Sequence, residues 1–285
     1  GCHVIYGIMG LKTHSKITLV VRREEEGIQR YVHVATGNYN GKTARIYTDV
    51  GILTSNTLIG IDASAFFNLL SGYSDPPQWN KLAVAPLNLR QRIYEEIDQE
   101  IDWARKGKKA LIIAKMNSLL DKKVIARLYE ASQAGVRIQL IVRGICVLRP
   151  GVPGLSEHIE VHSIVGRYLE HSRLFYFYNN GKEDVFISSA DWMPRNLNER
   201  VELMIPVEYP PHKERVKGIL NLYFHDNVKA YAMNGDGTYR YLADTRRGEP
   251  IHAQAMLQKE AEDHTRQLKK KDIKTRVLTR TSGDE

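Results

Sequence analysis

A histidine followed two residues later by a cation occurs twice in this chain, in matching settings: His14-Ser15-Lys16 and His171-Ser172-Arg173. Each lies in a stretch that alternates polar and apolar residues, the period of a β-strand. In each case a second predicted strand follows and ends in small polar residues, Thr36-Gly37-Asn38-Tyr39-Asn40 in one and Ser188-Ser189-Ala190-Asp191 in the other. At a period of two, each histidine and its cation share one strand face. The histidines are 157 residues apart (171 − 14), about one domain length. Such a chain reads as two related halves packed face to face, with both histidines in one cleft.

The rest of the pattern supports an α/β fold. Strands are predicted over 11–21 and 30–35. Leu58, Ile59, Ala63, Phe66, Phe67 and Leu70 have helical spacing, and Gly72 follows as a stop. Ser74-Asp75-Pro76-Pro77 breaks the chain. Leu89, Ile93, Ile97 and Ile101 form one apolar helical stripe. Ala110–Met116 and Val136–Val142 read as buried parallel strands. The helix between them would open at a capping box, Ser118-Leu119-Leu120-Asp121, and close at Gly135. Strands near 158–165, 169–178 and 184–188 follow, with Asn179-Asn180-Gly181 as a hairpin turn, then a helix near 212–224.

This gives a first half over 1–85, a second over 86–245 and a polar tail over 246–285 that should hold a loose or docked helix and a frayed end. Only thirteen residues precede His14, whereas two helices and two parallel strands precede His171. The first half is therefore expected to be truncated at its N-terminus. Gly1–Tyr6 reads like the middle of a strand and lacks an initiator methionine, so the chain is expected to be cut from something longer.

Of the 285 residues, 42% are hydrophobic, enough for one large or two modest cores. No apolar run approaches the roughly 20 residues of a membrane span, and the N-terminus is not patterned as a signal peptide. Two cysteines, Cys2 and Cys146, without a C-x-x-C arrangement, suggest a reducing, cytoplasmic setting. The net charge of +8 suits an anionic partner: nucleic acid, nucleotide, polyphosphate or anionic lipid. Part of the excess is a basic run over 266–280, so charge alone selects no ligand.

Paired histidines with adjacent cations fit phosphoryl transfer. Neutral imidazole is a good nucleophile, a second group can handle the proton at the leaving oxygen, and cations hold the charged phosphoryl oxygens. Lys16 and Arg173 suit that last task. Lys115, Asn117 and Arg143 fall at the C-terminal ends of the two parallel strands, where α/β sheets bind ligands. His33 has no such context and reads as structural. His158 and His162 lie on a strand, which separates them by about 13 Å, too far for one metal. Gly37-Asn38-Tyr39-Asn40-Gly41-Lys42-Thr43 misses the P-loop spacing by one residue.

Several blocks together resemble bacterial polyphosphate kinases of the phospholipase-D-like type. They are Gly10-Leu11-Lys12-Thr13-His14-Ser15-Lys16, Thr36-Gly37-Asn38-Tyr39-Asn40, Arg45-Ile46-Tyr47-Thr48-Asp49-Val50-Gly51, Ile141-Val142-Arg143-Gly144-Ile145-Cys146, Tyr168-Leu169-Glu170-His171-Ser172-Arg173 and Ser189-Ala190-Asp191-Trp192-Met193-Pro194-Arg195-Asn196-Leu197. The resemblance runs from residue 1 to about 245. It implies two phospholipase-D-like halves, mixed sheets flanked by helices, and reversible transfer of the terminal phosphate of ATP to polyphosphate with Mg2+. It further implies that His14 becomes phosphorylated, that His171 is the proton donor, and that Tyr47 and Arg143 contact nucleotide. ATP or ADP and inorganic polyphosphate are the implied partners, without nucleic acid; a homo-oligomer and peripheral membrane association remain open. The competing readings are a phospholipase-D-class phosphodiesterase and a non-catalytic polyanion-binding module. The phosphodiesterase pattern H-x-K-x(4)-D finds Val21 and Tyr178 where it needs aspartate, and Arg173 where it needs the second lysine.

Overall fold

A computed structural model describes residues 1–73, 78–245 and 247–275. The elements run β1 Lys12–Thr13, β2 Ile17–Glu24, β3 Gly27–Ala35, β4 Tyr47–Thr48, β5 Gly51–Thr54, α1 Thr57–Leu70, β6 Ala83–Ala85, α2 Leu89–Arg105, β7 Leu111–Met116, α3 Lys122–Gln133 and β8 Arg137–Val142. They continue with β9 Ile159–Ile164, β10 Leu169–Glu170, β11 Arg173–Phe177, β12 Asp184–Ser188, α4 Pro194–Asn198, β13 Arg200–Pro206, α5 Pro210–Phe224, β14 Ala230–Met233, β15 Tyr239–Tyr241 and α6 Ala253–Thr275.

The large sheet has the order β1-β13-β12-β11-β7-β8-β9-β14-β15, with β6 also on β13. Its centre is the predicted β-α-β unit: β7 and β8 pair in parallel and β9 continues in parallel. Both faces are covered, which is why β7, β8 and β11 read as almost unbroken apolar runs. On one face Ile112, Ala114, Phe175 and Phe177 pack against the stripe Leu89, Ile93, Ile97 and Ile101 of α2 and against Val124 and Leu128 of α3. On the other, Leu174, Tyr176, Leu203 and Ile205 pack against Val216, Ile219 and Leu220 of α5. This second core also takes Val32, Val34, Ile59, Ala63 and Phe66 from the first half. The two halves therefore share one core.

The first half forms a smaller sheet, β2-β3-β5, backed by α1. In the second half the counterpart of β2 is β11, which pairs with both β12 and β7; among the described residues β2 pairs with β3 alone. This small sheet exposes apolar side chains at Val20, Val21, Ile28, Tyr31 and Leu53.

Several sequence expectations change. The predicted strand over 11–21 is two pieces, β1 and β2, with His14 and Lys16 in the break. Residues 1–7 are irregular, not a strand. The α3 helix opens one turn later than the capping box implied: Asp121 is the N-cap and accepts from the Lys123 and Val124 amides. The 179–181 turn holds Asn179 and Asn180 at positive φ, a conformation asparagine tolerates. Ser74-Asp75-Pro76-Pro77 and the frayed end, 276–285, lie outside the described residues. Among the described residues no helix is long and apolar enough to cross a membrane.

One buried group on α2 sets a stability test. Glu96 is 4% exposed and its Oε2 has no hydrogen-bond partner among the described residues. Arg92 pairs with its Oε1 at 2.6 Å, but Arg92 is itself largely solvated. Burial wins and pushes the Glu96 carboxyl up from its ordinary 4.5 to about 7. A raised folded-state pKa contributes stability that is full below the unfolded value and is lost as pH rises through the folded one. The wild-type chain should therefore lose up to about 3 kcal/mol between pH 5 and 8 from this group, and Glu96→Gln should abolish that slope. Urea unfolding midpoints of both proteins at pH 5 and pH 8 check it; parallel slopes would refute it.

Candidate active site

Both histidines stand directly after a two-residue strand, and both strands are borrowed by the opposite half. Strand β1 pairs in parallel with β13, with Thr13 opposite Val201, so that His14 comes level with Glu202. Strand β10 pairs in parallel with β4, with Glu170 opposite Thr48, so that His171 comes level with Asp49. Backbone bonds fix each register: the His14 amide donates to Val201 O at 2.9 Å, and the His171 amide to Thr48 O at 3.2 Å.

The result is a reciprocal exchange of carboxylates. His14 Nδ1 is 2.9 Å from both Glu202 oxygens, and His171 Nδ1 is 2.7 Å from Asp49 Oδ1. Each carboxylate is held in turn by a hydroxyl from the end of the preceding strand. Thr36 Oγ1 donates to Asp49 at 2.8 Å and Ser189 Oγ to Glu202 at 2.5 Å. Each of these hydroxyls also accepts the next backbone amide, Val50 N on Thr36 and Leu203 N on Ser189, both at 3.0 Å. Gly37 is required beside Asp49: a Cβ there would lie 2.2 Å from Asp49 Cγ.

The cations repeat as well. Lys16 Nζ donates to His14 O, and Arg173 Nη1 donates to His171 O at 2.9 Å. Arg173 is also forked onto Asp191, reaches Thr36 O of the first half at 3.4 Å, and places Nη1 3.1 Å from His171 Nε2. An arginine can only donate, so the neutral ring carries its proton on Nδ1, toward Asp49. Burial lowers the His171 pKa below the ordinary imidazole value; Asp49 opposes this, while Arg173 and Lys16 add to it. Burial brings Lys16 down to about 8, with Glu202 and Asp49 opposing and Arg173 adding. Residues of both halves thus share one electrostatic cluster.

The sequence candidates divide. His14, Lys16, His171 and Arg173 meet at this cluster. Tyr47 stacks obliquely on His171, centroids 5.0 Å apart, and lines a cavity of about 420 Å³ with Arg45, Tyr168, Arg215, Leu257 and Gln258. Arg143 lies just behind, its Nε donating to Glu170 O at 2.9 Å and Asn117 Oδ1 at 3.2 Å. Lys115 departs from the expectation of a phosphate contact. It is 1% exposed, paired with Glu170 at 3.0 Å and bonded to Ser172 Oγ at 2.8 Å, so it supports the His171 strand from beneath. His162 stacks on Phe224 and gives its Nδ1 to Phe224 O, a structural role. Sequence reading missed Asp49 and Glu202. The signal was present: an acid falls 35 and 31 residues after the two histidines (49 − 14 and 202 − 171), and Glu202 interrupts the apolar run of β13.

Comparison with known proteins gives this geometry its family. Residues 1–76 match the model described as polyphosphate kinase C-terminal domain 1, and residues 82–254 match C-terminal domain 2. The chain belongs to the polyphosphate kinase family. It is 56% identical to the polyphosphate kinase of Halalkalibacterium halodurans over 89% of this chain and 36% of that protein. It is 53% identical to that of Bacillus anthracis over 93% of this chain and 38% of that protein. The solved polyphosphate kinase of Porphyromonas gingivalis superposes with a TM-score of 0.84 at 41% identity, covering 90% of this chain and 40% of that one. A phosphatidylserine synthase of Haemophilus influenzae, at 12% identity and a TM-score of 0.50, shares the phospholipase-D-like fold. The chain spans well under half the length of these polyphosphate kinases.

The Asp49 pairing predicts a pH effect. Asp49 favours the imidazolium of His171, so Asp49→Asn should lower the His171 pKa further. A histidine NMR titration of wild type and variant checks this; an unchanged or raised His171 value would contradict the exchange of partners.

Proposed function

We propose that this chain carries the two histidines through which a polyphosphate kinase moves the terminal phosphate of ATP reversibly onto polyphosphate. The observation that supports the reading best is the reciprocal anchoring of two imidazoles over one cationic cluster. Anchored Nδ1 atoms aim both Nε2 atoms away from their carboxylates. His14 is the better nucleophile: its side chain is 19% exposed against 10% for His171, and no partner of its Nε2 is found among the described residues. In the first step His14 Nε2 bonds to the γ-phosphorus as the bond to the β–γ bridging oxygen breaks and ADP leaves. In the second a terminal polyphosphate oxygen attacks the same phosphorus and the P–N bond breaks. His171 handles the proton at the departing or entering oxygen, once phosphate oxygens replace it as the partner of Arg173.

Lys16 and Arg173 supply charge to the transferred group, with Arg143 behind them for the nucleotide. The cavity beside Tyr47 has the volume and aromatic wall of a small-molecule site and is the place we assign to the nucleotide base. The described residues offer no ready-made cluster for the implied magnesium. Among the described residues no group of three or more His, Cys, Asp or Glu could hold a metal. The carboxylates at the site are already committed to imidazole or cation: Asp49 to His171, Glu202 to His14, Asp191 to Arg173 and Glu170 to Lys115. The reading places the protein in the cytoplasm, where ATP is supplied.

The test is γ-labelled ATP with a full-length polyphosphate kinase carrying this sequence. Acid-labile label should map to His14 and vanish in His14→Ala, while His171→Ala should slow transfer by roughly 10²–10⁴ without removing the acceptor. Label on His171 would reverse the assignment, and consumption of a phosphodiester in place of ATP would favour the hydrolase reading.

A second test concerns the 285 residues alone. In the first half, among the described residues, there is no counterpart of the β7–β8 unit that carries Lys115 and leads to Arg143. The isolated chain should fold, self-associate through its exposed apolar sheet and bind polyphosphate weakly, with affinity falling steeply as salt rises. It should make less than about one hundredth as much polyphosphate as the full-length enzyme. Comparable yield per hour would show this account of the phosphate cradle to be wrong.

A further inference from the structure

We propose that Gln254, at the start of α6, is a positioning residue for His171: through this buried amide α6 holds the strand that presents the second imidazole. Gln254 is 4% exposed and uses its whole amide on that strand. Its Oε1 accepts from Tyr168 N at 3.0 Å, and its Nε2 donates to Tyr168 O at 2.8 Å and to Glu170 Oε1 at 2.5 Å. The side chain thus pairs with Tyr168 as a neighbouring strand would, at the edge where β10 has only β4 beside it. Gly166 gives it room, since a Cβ there would lie 2.4 Å from Gln254 Oε1.

The contact is the outermost part of a frame with a bond at every residue leading to the imidazole. Leu169 N donates to Ile46 O at 2.8 Å, Glu170 O accepts from Arg143, and His171 O accepts from Asn117 Nδ2 at 3.3 Å. The Glu170 carboxylate is shared by Gln254, by Thr48 Oγ1 at 2.8 Å and by Lys115 at 3.0 Å. Removing Gln254 leaves a buried carboxylate oxygen and two half-buried backbone groups of Tyr168 without these partners, a cost that loosening of the strand relieves. The helix is itself fixed where this contact begins: the buried Asp226 accepts from Ala253 N at 2.8 Å while its other oxygen accepts from Val228 and Lys229.

The consequence for catalysis rests on the proposed role of His171; the mechanical coupling does not. The test compares histidine NMR titrations of the intact wild-type chain, Gln254→Ala and Gln258→Ala. The groups facing His171 are Asp49, Arg173, Lys16 and the ring of Tyr47, and none of them is substituted in these variants. Gln254→Ala should move the His171 titration upward, toward that of a solvated imidazole, as the loosened strand admits water. Gln258→Ala, which loses only the 3.1 Å bond from Tyr168 OH, should leave it unmoved. A folded Gln254→Ala with an unchanged His171 titration overturns the proposal.

A measurement on wild type needs no variant. In hydrogen exchange under rising denaturant, the Leu169 and His171 amides should lose protection in the same step as α6, before Ile112–Met116 of β7. Protection at 169–171 that outlasts the opening of α6 also overturns it. If His171 proves to have no part in transfer, the titration shift in Gln254→Ala still stands, so failure of the functional reading and failure of the coupling are told apart.

Discussion

Each of the two repeated imidazoles in this fold is anchored by a carboxylate that belongs to the other half of the molecule. Glu202 is fully buried on β13, where His14 and Ser189 bond its oxygens and Arg200 Nη1 lies 4.0 Å away. Leaving such a buried carboxylate short of a hydrogen-bond partner costs about 1–3 kcal/mol, so the contacts that orient the rings also hold the halves together. The two-residue strands β1 and β10 exist only as pairings across that boundary. Neither half can present its histidine correctly without the other, which makes the duplicated pattern a single site.

The sequence showed the repeat because each copy keeps its local order of histidine, cation, strand end and small polar residues. It also showed the β7–α3–β8 unit, since parallel strands covered on both faces leave long apolar runs. It did not show who pairs with whom. Asp49 lies 35 residues from His14 but bonds to His171, and no local pattern encodes an exchange between halves. The alternation around His14 suggested one continuous strand, whereas Lys16 turns back onto the His14 carbonyl and breaks it. Lys115 looked like a crevice cation because its position at a strand end is right; only burial and the Glu170 pairing reveal a support. Ser118 lost the cap of α3 to Asp121 because the Leu119 amide is used by Ile145 O, and Leu120 N and Asp121 N both go to Trp192 O, which keeps that segment extended.

The two copies have diverged in the residue that follows each histidine by two. Arg173 is permanently charged, and its planar fork serves Asp191, Thr36 O and the His171 ring at once. It locks His171 in place and occupies its outer nitrogen. Lys16 offers one compact ammonium that reaches only the His14 carbonyl, and it leaves the His14 ring unencumbered on that side. The arginine half is therefore the rigid one and the lysine half the open one, an asymmetry that suits one histidine to accept a phosphoryl group and the other to manage a proton.

Lys16 carries a further consequence of that asymmetry. It is 5% exposed and burial brings it to about 8, so at neutral pH it stays mostly protonated but close to the point of losing its charge. Its neighbours Glu202 and Asp49 are already committed to the imidazoles, so neither offers it a dedicated ion pair. A phosphoryl group arriving beside His14 would be the first anion free to pair with Lys16, and it would favour the ammonium form. The charge on Lys16 is thereby stabilised most when phosphate is present, where its interaction favours the loaded site over the empty one. An arginine at that position would hold its charge in both states and could fork onto the same carboxylates, weakening their grip on the rings. The lysine at 16 and the arginine at 173 are thus not interchangeable, although the repeat places them at equivalent points.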